Sequence, residues 1–160
     1  MFREIVQKQR DFFRSGATGP VSFRLEKLRL LQEAVIGRSR EIEKALAGDL
    51  KRNGFESFLA EEVMTLSALK TALKKTPQWA APKKIKASRL NFRSSDRLAP
   101  EPLGLSLVIS PWNYPLLLAL GPLIAAMSAG NCCIVKPSNW PLKRPGFWPT
   151  SSKISFPRNM

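Results

Sequence analysis

Residues 103–138 read LGLSLVISPWNYPLLLALGPLIAAMSAGNCCIVKPS. Leu105, Leu107, Val108 and Ile109 form a short apolar strand, Leu116 to Ser128 an apolar helix, and Cys132 to Val135 a second buried strand, with Gly130-Asn131 as the helix stop. A strand, a helix and a strand within about 32 residues make one right-handed crossover unit, since parallel neighbours need a connection of that kind. The stretch therefore predicts an α/β fold and the opening of a parallel sheet. Between the first strand and the helix stands Pro111-Trp112-Asn113-Tyr114-Pro115. It places a polar amide on a rigid turn at a strand's C-terminal end, where open α/β sheets bind ligands. From Leu103 to Val135 no residue is charged, a run long enough to cross a bilayer. Pro111, Asn113, Pro115, Pro122 and Asn131 interrupt it, and unpaired backbone is costly in lipid, so no membrane insertion is predicted.

Upstream the periodicity is helical. Phe2, Val6, Phe12 and Phe13 fall toward one side of a helix over 2–14, closed by the breaker Ser-Gly-Ala-Thr-Gly-Pro. Ser22 is placed to cap the next helix, on which Leu25, Leu28, Leu31, Ala34 and Val35 recur at three- and four-residue spacing. Ile42, Leu46 and Leu50 mark a further helical stretch running to the Asn53-Gly54 break. From Phe55 a helix carries Phe58, Leu59, Val63, Leu66, Leu69 and Leu73 until Thr76-Pro77 ends it. Between Pro82 and Pro100 the pattern changes to Ile85, Ala87, Leu90 and Phe92 among basic and polar residues, which reads as exposed, edge-like strand. No internal repeat is evident.

At 160 residues the chain is long enough for one ordinary domain, and 44% hydrophobic with 24% charged residues is a globular composition. The net charge of +14 invites a polyanion partner. Its distribution weakens that reading, because residues 139–160 hold Lys143, Arg144, Lys153 and Arg158 with no acid, and the other charges spread along helical faces. Lys83, Lys84, Lys86, Arg89 and Arg93 make the one cluster, so a basic module binding polyanions or an acidic partner stands as the alternative function; nucleic acid is not the expected partner. With 0 His, imidazole catalysis and His-ligated metal sites are excluded, and no metal site is expected. Cys132 and Cys133 are adjacent in a strand, so their side chains point to opposite faces and do not bridge, which fits a reducing compartment and a cytoplasmic location. No basic and apolar leader opens the chain, and a secretory signal is not expected.

The turn Pro111-Trp112-Asn113-Tyr114-Pro115 and the strand end Lys136-Pro137-Ser138 resemble motifs of the aldehyde dehydrogenase superfamily, nearest its class 3 or fatty-aldehyde branch, over nearly all of residues 1–138. The resemblance implies an N-terminal helical layer over 1–82, an exposed bridging segment over 83–102 used in oligomerisation, and the first β-α-β unit of a Rossmann-like NAD(P)-binding domain over 103–138. That domain is incomplete. It further implies NAD or NADP as coenzyme, an aldehyde as substrate and a homodimer for the full-length enzyme. Asn113 takes the role of donor to the oxygen of the tetrahedral thiohemiacetal. Lys136 and Ser138 fall in the motif that holds the adenosine ribose, and Ile109, Ser110, Pro111 and Trp112 line the nicotinamide side. On the residues alone, Asn113 serves equally to brace a Pro-flanked turn, Lys136 to end a strand in solvent, and Trp112 to pack. The family's nucleophilic Cys motif and its Glu-Leu-Gly-Gly general-base motif are both missing, and Cys132 and Cys133 do not match the nucleophile's position. The chain alone is therefore expected to be catalytically incompetent.

After Ser138 the likeness stops. Where the family motif has Glu this chain has Asn139, and the remaining NWPLKRPGFWPTSSKISFPRNM has no helical periodicity. The genetic code makes this break legible as a slip of reading frame. Reading Asn139-Trp140-Pro141 from the third base of codon 139 forces Leu-Ala, and Phe147-Trp148-Pro149 forces Leu-Ala again. Allowed codons elsewhere give LAPETARVLADIIKDIFPPEY, an amphipathic and acidic helix, and one restored G before the first two bases of codon 139 regenerates a Glu codon. Residues 139–160 accordingly read as an out-of-frame tail, and much of the excess positive charge belongs to it.

Overall fold

The computed structural model describes residues 2–50, 53–86 and 94–138. The readings made on Ala87, Arg89, Leu90, Phe92, Arg93 and 139–160 lie outside the described residues. Helix α1 spans Phe2–Arg14, α2 Val21–Gly37, α3 Ser39–Leu50 and α4 Gly54–Ser57; a π-helical turn over Phe58–Val63 leads into α5, Met64–Ala80. Short strands β1 (Lys83–Ile85) and β2 (Asp96–Leu98) follow, then β3 (Leu105–Ile109), α6 (Pro115–Ser128) and β4 (Cys132–Lys136).

α6 organises the rest. It is apolar on every side, so it is stable only when surrounded. Leu116, Ala119, Leu120, Leu123, Ile124 and Met127 are all buried, and they join Leu28 and Val35 of α2, Leu69 and Ala72 of α5, Ile42 and Leu46 of α3, and Cys133 and Val135 of β4 in one core. β3 and β4 pair in parallel, with Leu105 opposite Cys132 and Ile109 opposite Lys136, so the crossover read from the sequence is present. Gly130 stops α6 at φ +85, a left-handed conformation that glycine adopts without a steric penalty. Asn131 then ties the two strands at their start: its Oδ1 accepts from Gly104 N–H at 2.9 Å, and Cys132 N–H donates to Gly104 O at 2.8 Å.

Four features depart from the sequence reading. The residue before α2 is Pro20, with no side-chain cap, and Ser22 lies inside the helix; a proline ahead of the first turn fixes the entry. α1 buries no residue, and Phe2 and Phe12 are exposed, because α1 lies on the β3 and β4 surface with Val6 and Phe13 half-covered, while Phe12 meets Phe23 of α2 at a ring-centroid distance of 6.2 Å. α5 runs through Pro77 to Ala80, since a proline this close to the C-terminus breaks a single backbone bond, while Thr76 Oγ1 donates to Ala72 O at 2.7 Å. The segment expected as one exposed strand contains an antiparallel pair, Lys83 to Ile85 against Leu98 to Asp96, and its described residues are nearly all exposed.

The charged faces are less uniformly solvated than periodicity implies. Arg24 is drawn in to donate to three carbonyls, Thr18 at 2.9 Å, Gly19 at 2.7 Å and Ser128 at 3.3 Å, joining the turn before α2 to the end of α6. Lys27 is buried, paired with Glu26 at 2.9 Å and 5.1 Å over the Phe23 ring.

Candidate functional site

The C-terminal ends of β3 and β4 lie side by side. Ile109 faces Lys136 in register, and Ser110 N–H donates to Lys136 O at 3.1 Å, extending the parallel ladder one residue beyond β3. The chain then turns through Pro111, Trp112, Asn113 and Tyr114 into α6. Topology thus brings the two sequence-predicted groups, the Asn113 turn and the Lys136 strand end, to one edge of one sheet. Pro111, Trp112, Asn113 and Lys136 are exposed there, Ile109 is 66% exposed, and Ser138 is half-buried. Ser110 is the opposite case: it is 3% exposed, and its Oγ has no hydrogen-bond partner among the described residues.

The start of α6 carries a feature that the sequence reading missed. Tyr114 precedes the helix at φ −136 and ψ 72 without a side-chain cap, and Pro115 has no N–H to satisfy. The first two free amides, Leu116 and Leu117, both donate to Oε2 of Glu61, at 2.9 and 3.0 Å. Glu61 lies in the π-helical turn and is 0% exposed, stacked between Ser57 and Thr65, which are also fully buried. A carboxylate at this position meets the positive end of the helix dipole and two aligned N–H donors. The helix immediately after Asn113 is therefore held by a side chain 55 residues upstream.

The sequence signal for Glu61 was its spacing. Ser57, Glu61 and Thr65 recur every four residues and continue to Leu69, while Phe58, Leu59 and Met64 are exposed. An α-helical template put Phe58 and Leu59 inward. The wider π turn holds more residues per turn, so steps of four stay on one face through Thr65, and the inward face in this half is polar.

Cys132 and Cys133 are buried and unbridged, as their strand positions predicted. Burial raises both thiols above the ordinary value of 9.0, with the neighbouring Cys133 adding to the effect at Cys132. Neither has the lowered pKa or the access of a reactive thiol. Among the described residues no three His, Cys, Asp or Glu converge on a point that could hold a metal ion. No helix among them is long and apolar enough to cross a membrane.

The groups on this edge that could meet a nicotinamide dinucleotide are the exposed apolar Ile109 and the Lys136 cation at the neighbouring strand end, with the Ser110 hydroxyl buried and unpartnered between them in the chain. The family model described as the aldehyde dehydrogenase family matches residues 2–142. An aldehyde dehydrogenase of Craterostigma plantagineum is 41% identical over 134 residues, 84% of this chain and 28% of that protein. Aldehyde dehydrogenase family 3 member B3 of Mus musculus is 36% identical over 137 residues, 86% and 29% of the two chains. The dimeric NADP-preferring aldehyde dehydrogenase of Canis lupus familiaris is 33% identical over 135 residues, 84% and 30%. Among solved structures, the substrate-bound AldH of Staphylococcus aureus superposes with a TM-score of 0.85 at 34% identity, covering 87% of this chain and 30% of that one. The chain thus spans less than a third of the length of these relatives.

Proposed function

Because the chain belongs to the aldehyde dehydrogenase family, we propose that it carries the coenzyme-side and oxyanion-side part of an NAD(P)-dependent aldehyde-oxidising site and is inactive alone. The observation that supports this best is the parallel pairing of β3 and β4, which sets the Asn113 turn and Lys136 on adjacent strand ends. When bound, the nicotinamide supplies the hydride acceptor of the family reaction. In this reading Asn113 donates its side-chain amide to the oxyanion of the aldehyde adduct, a role worth roughly 2.7–4 kcal/mol at the transition state for a preorganised donor. Lys136 holds the ribose hydroxyls, Ser138 lies in the same coenzyme-binding strand end, and Ile109, Ser110, Pro111 and Trp112 form the wall beside the nicotinamide. Residues 1–82 form the helical layer of the coenzyme domain, 83–102 bridge to a second subunit of a homodimer, and 103–138 open its sheet. Two free buried thiols suit a reducing compartment such as the cytoplasm.

The missing thiol nucleophile and general base make the inactivity testable. Purified chain incubated with NAD or NADP and a medium-chain or aromatic aldehyde should give no 340 nm absorbance above a protein-free blank; turnover above it refutes the reading. A chimera in which residues 1–138 replace the matching segment of a class 3 relative should be active. In it, Asn113→Ala should lower kcat by about 10²–10³. For residues 139–160, the nucleotide sequence from codon 139 onward decides the frame reading: an open frame starting at the third base of codon 139, encoding Leu-Ala at both forced positions and continuing into a Cys-bearing catalytic half, supports it.

A further inference from the structure

We infer that Glu61 is a positioning residue for Asn113, acting through the first turn of α6. This rests on the reading of Asn113 as the oxyanion donor. Four observations carry it. Tyr114 makes no side-chain capping bond to α6, the helix's first residue is a proline, and its first two amides end on one carboxylate oxygen of Glu61. That carboxylate is completely buried in a π-helical turn, a local geometry that costs helix regularity and is commonly kept where a side chain must be aimed. Glu61 is thus anchored by the core, while Asn113 stands only two residues before α6 begins. Leu118 N–H bonds to Tyr114 O at 3.0 Å, so the residue following Asn113 is tied into the same turn that Glu61 holds.

The alternative is that Glu61 merely stabilises the helix. The two roles differ in what happens to Asn113 when the fold survives. In nitrogen-labelled chain, Glu61→Ala should speed hydrogen exchange at Leu116 and Leu117 at least tenfold and displace the Asn113 side-chain amide signals. Leu69→Ala, which opens the same core but leaves the Glu61 bonds to α6 in place, should lower the unfolding midpoint and leave Asn113 in place. Asn113 signals that stay put in folded Glu61→Ala overturn the proposal, and so does an equal displacement in Leu69→Ala. Should Glu61→Ala fail to fold, Glu61→Asp and Glu61→Gln decide. Asp withdraws the acceptor by one methylene and should move Asn113 more than Gln, which keeps the reach; equal or absent movement overturns the proposal. The catalytic premise fails separately: if the chimera is indifferent to Asn113→Ala, Asn113 is not the oxyanion donor, whatever the coupling to Glu61.

Discussion

At the scale of single residues, Gly130 is constrained twice, by its backbone and by its neighbour. A Cβ built there falls 2.6 Å from the Arg24 guanidinium carbon, and φ is +85. An alanine must therefore bear the left-handed penalty of about 1–2 kcal/mol and also push aside the cation that joins Thr18, Gly19 and Ser128. Gly130→Ala should lower the urea midpoint accordingly, and a midpoint equal to the parent's would show that Arg24 has room to move. The cysteines give a pH signature. Their folded thiols ionise above the ordinary value of 9.0 because they are buried. The stability this represents is complete below the unfolded-state pKa and is lost as pH rises through the folded one, because the unfolded chain releases its thiol protons first. The urea midpoint should therefore fall between neutral pH and pH of about 10, and the fall should be shallower in Cys132→Ala/Cys133→Ala than in the parent.

At the scale of elements, legibility followed the match between pattern and environment. β3, α6 and β4 were readable because an uncharged run broken by Pro-flanked Asn113 and by Gly130 has one economical arrangement, and the structure has it. Both strand ends that carry the candidate site were readable with them. The stretch over 54–65 was not, since its buried residues are Ser57, Glu61, Glu62 and Thr65 rather than an apolar stripe, and no apolar template finds a buried carboxylate whose partners lie on α6. Pro77 was misleading for a local reason: near a helix end it costs one bond, and the helix continues. The packing of α6 against α2, α5 and β4 makes a further prediction. Leu123 is 1% exposed in that core, so Leu123→Ala should cost about 2–5 kcal/mol in chemical denaturation. A loss under about 1 kcal/mol would mean that the neighbours collapse around the deletion.

At the scale of the whole molecule, the described sheet is unfinished. β3 and β4 form a pair with no third strand among the described residues, and each therefore presents an edge of backbone N–H and C=O groups. One face of the pair packs on α6. On the other, α1 covers part of the surface, yet Leu107 is 60% and Ile109 66% exposed. Parallel strands are ordinarily buried on both faces, so this side combines exposed apolar area with unpaired edges. Water is the poorer neighbour for such a surface, and another copy of the same surface is available at any protein concentration. The purified chain should accordingly self-associate, its apparent mass in sedimentation equilibrium rising with concentration. Leu107→Lys places a charge at the centre of that face without reaching the core, because Leu107 points away from α6 while Val108 packs toward it. The substitution should shift association to higher concentration while leaving the unfolding midpoint within about 0.5 kcal/mol of the parent in free-energy terms. A parent chain that sediments as a single copy at every concentration would show that the exposed β3 face is compatible with water as it stands.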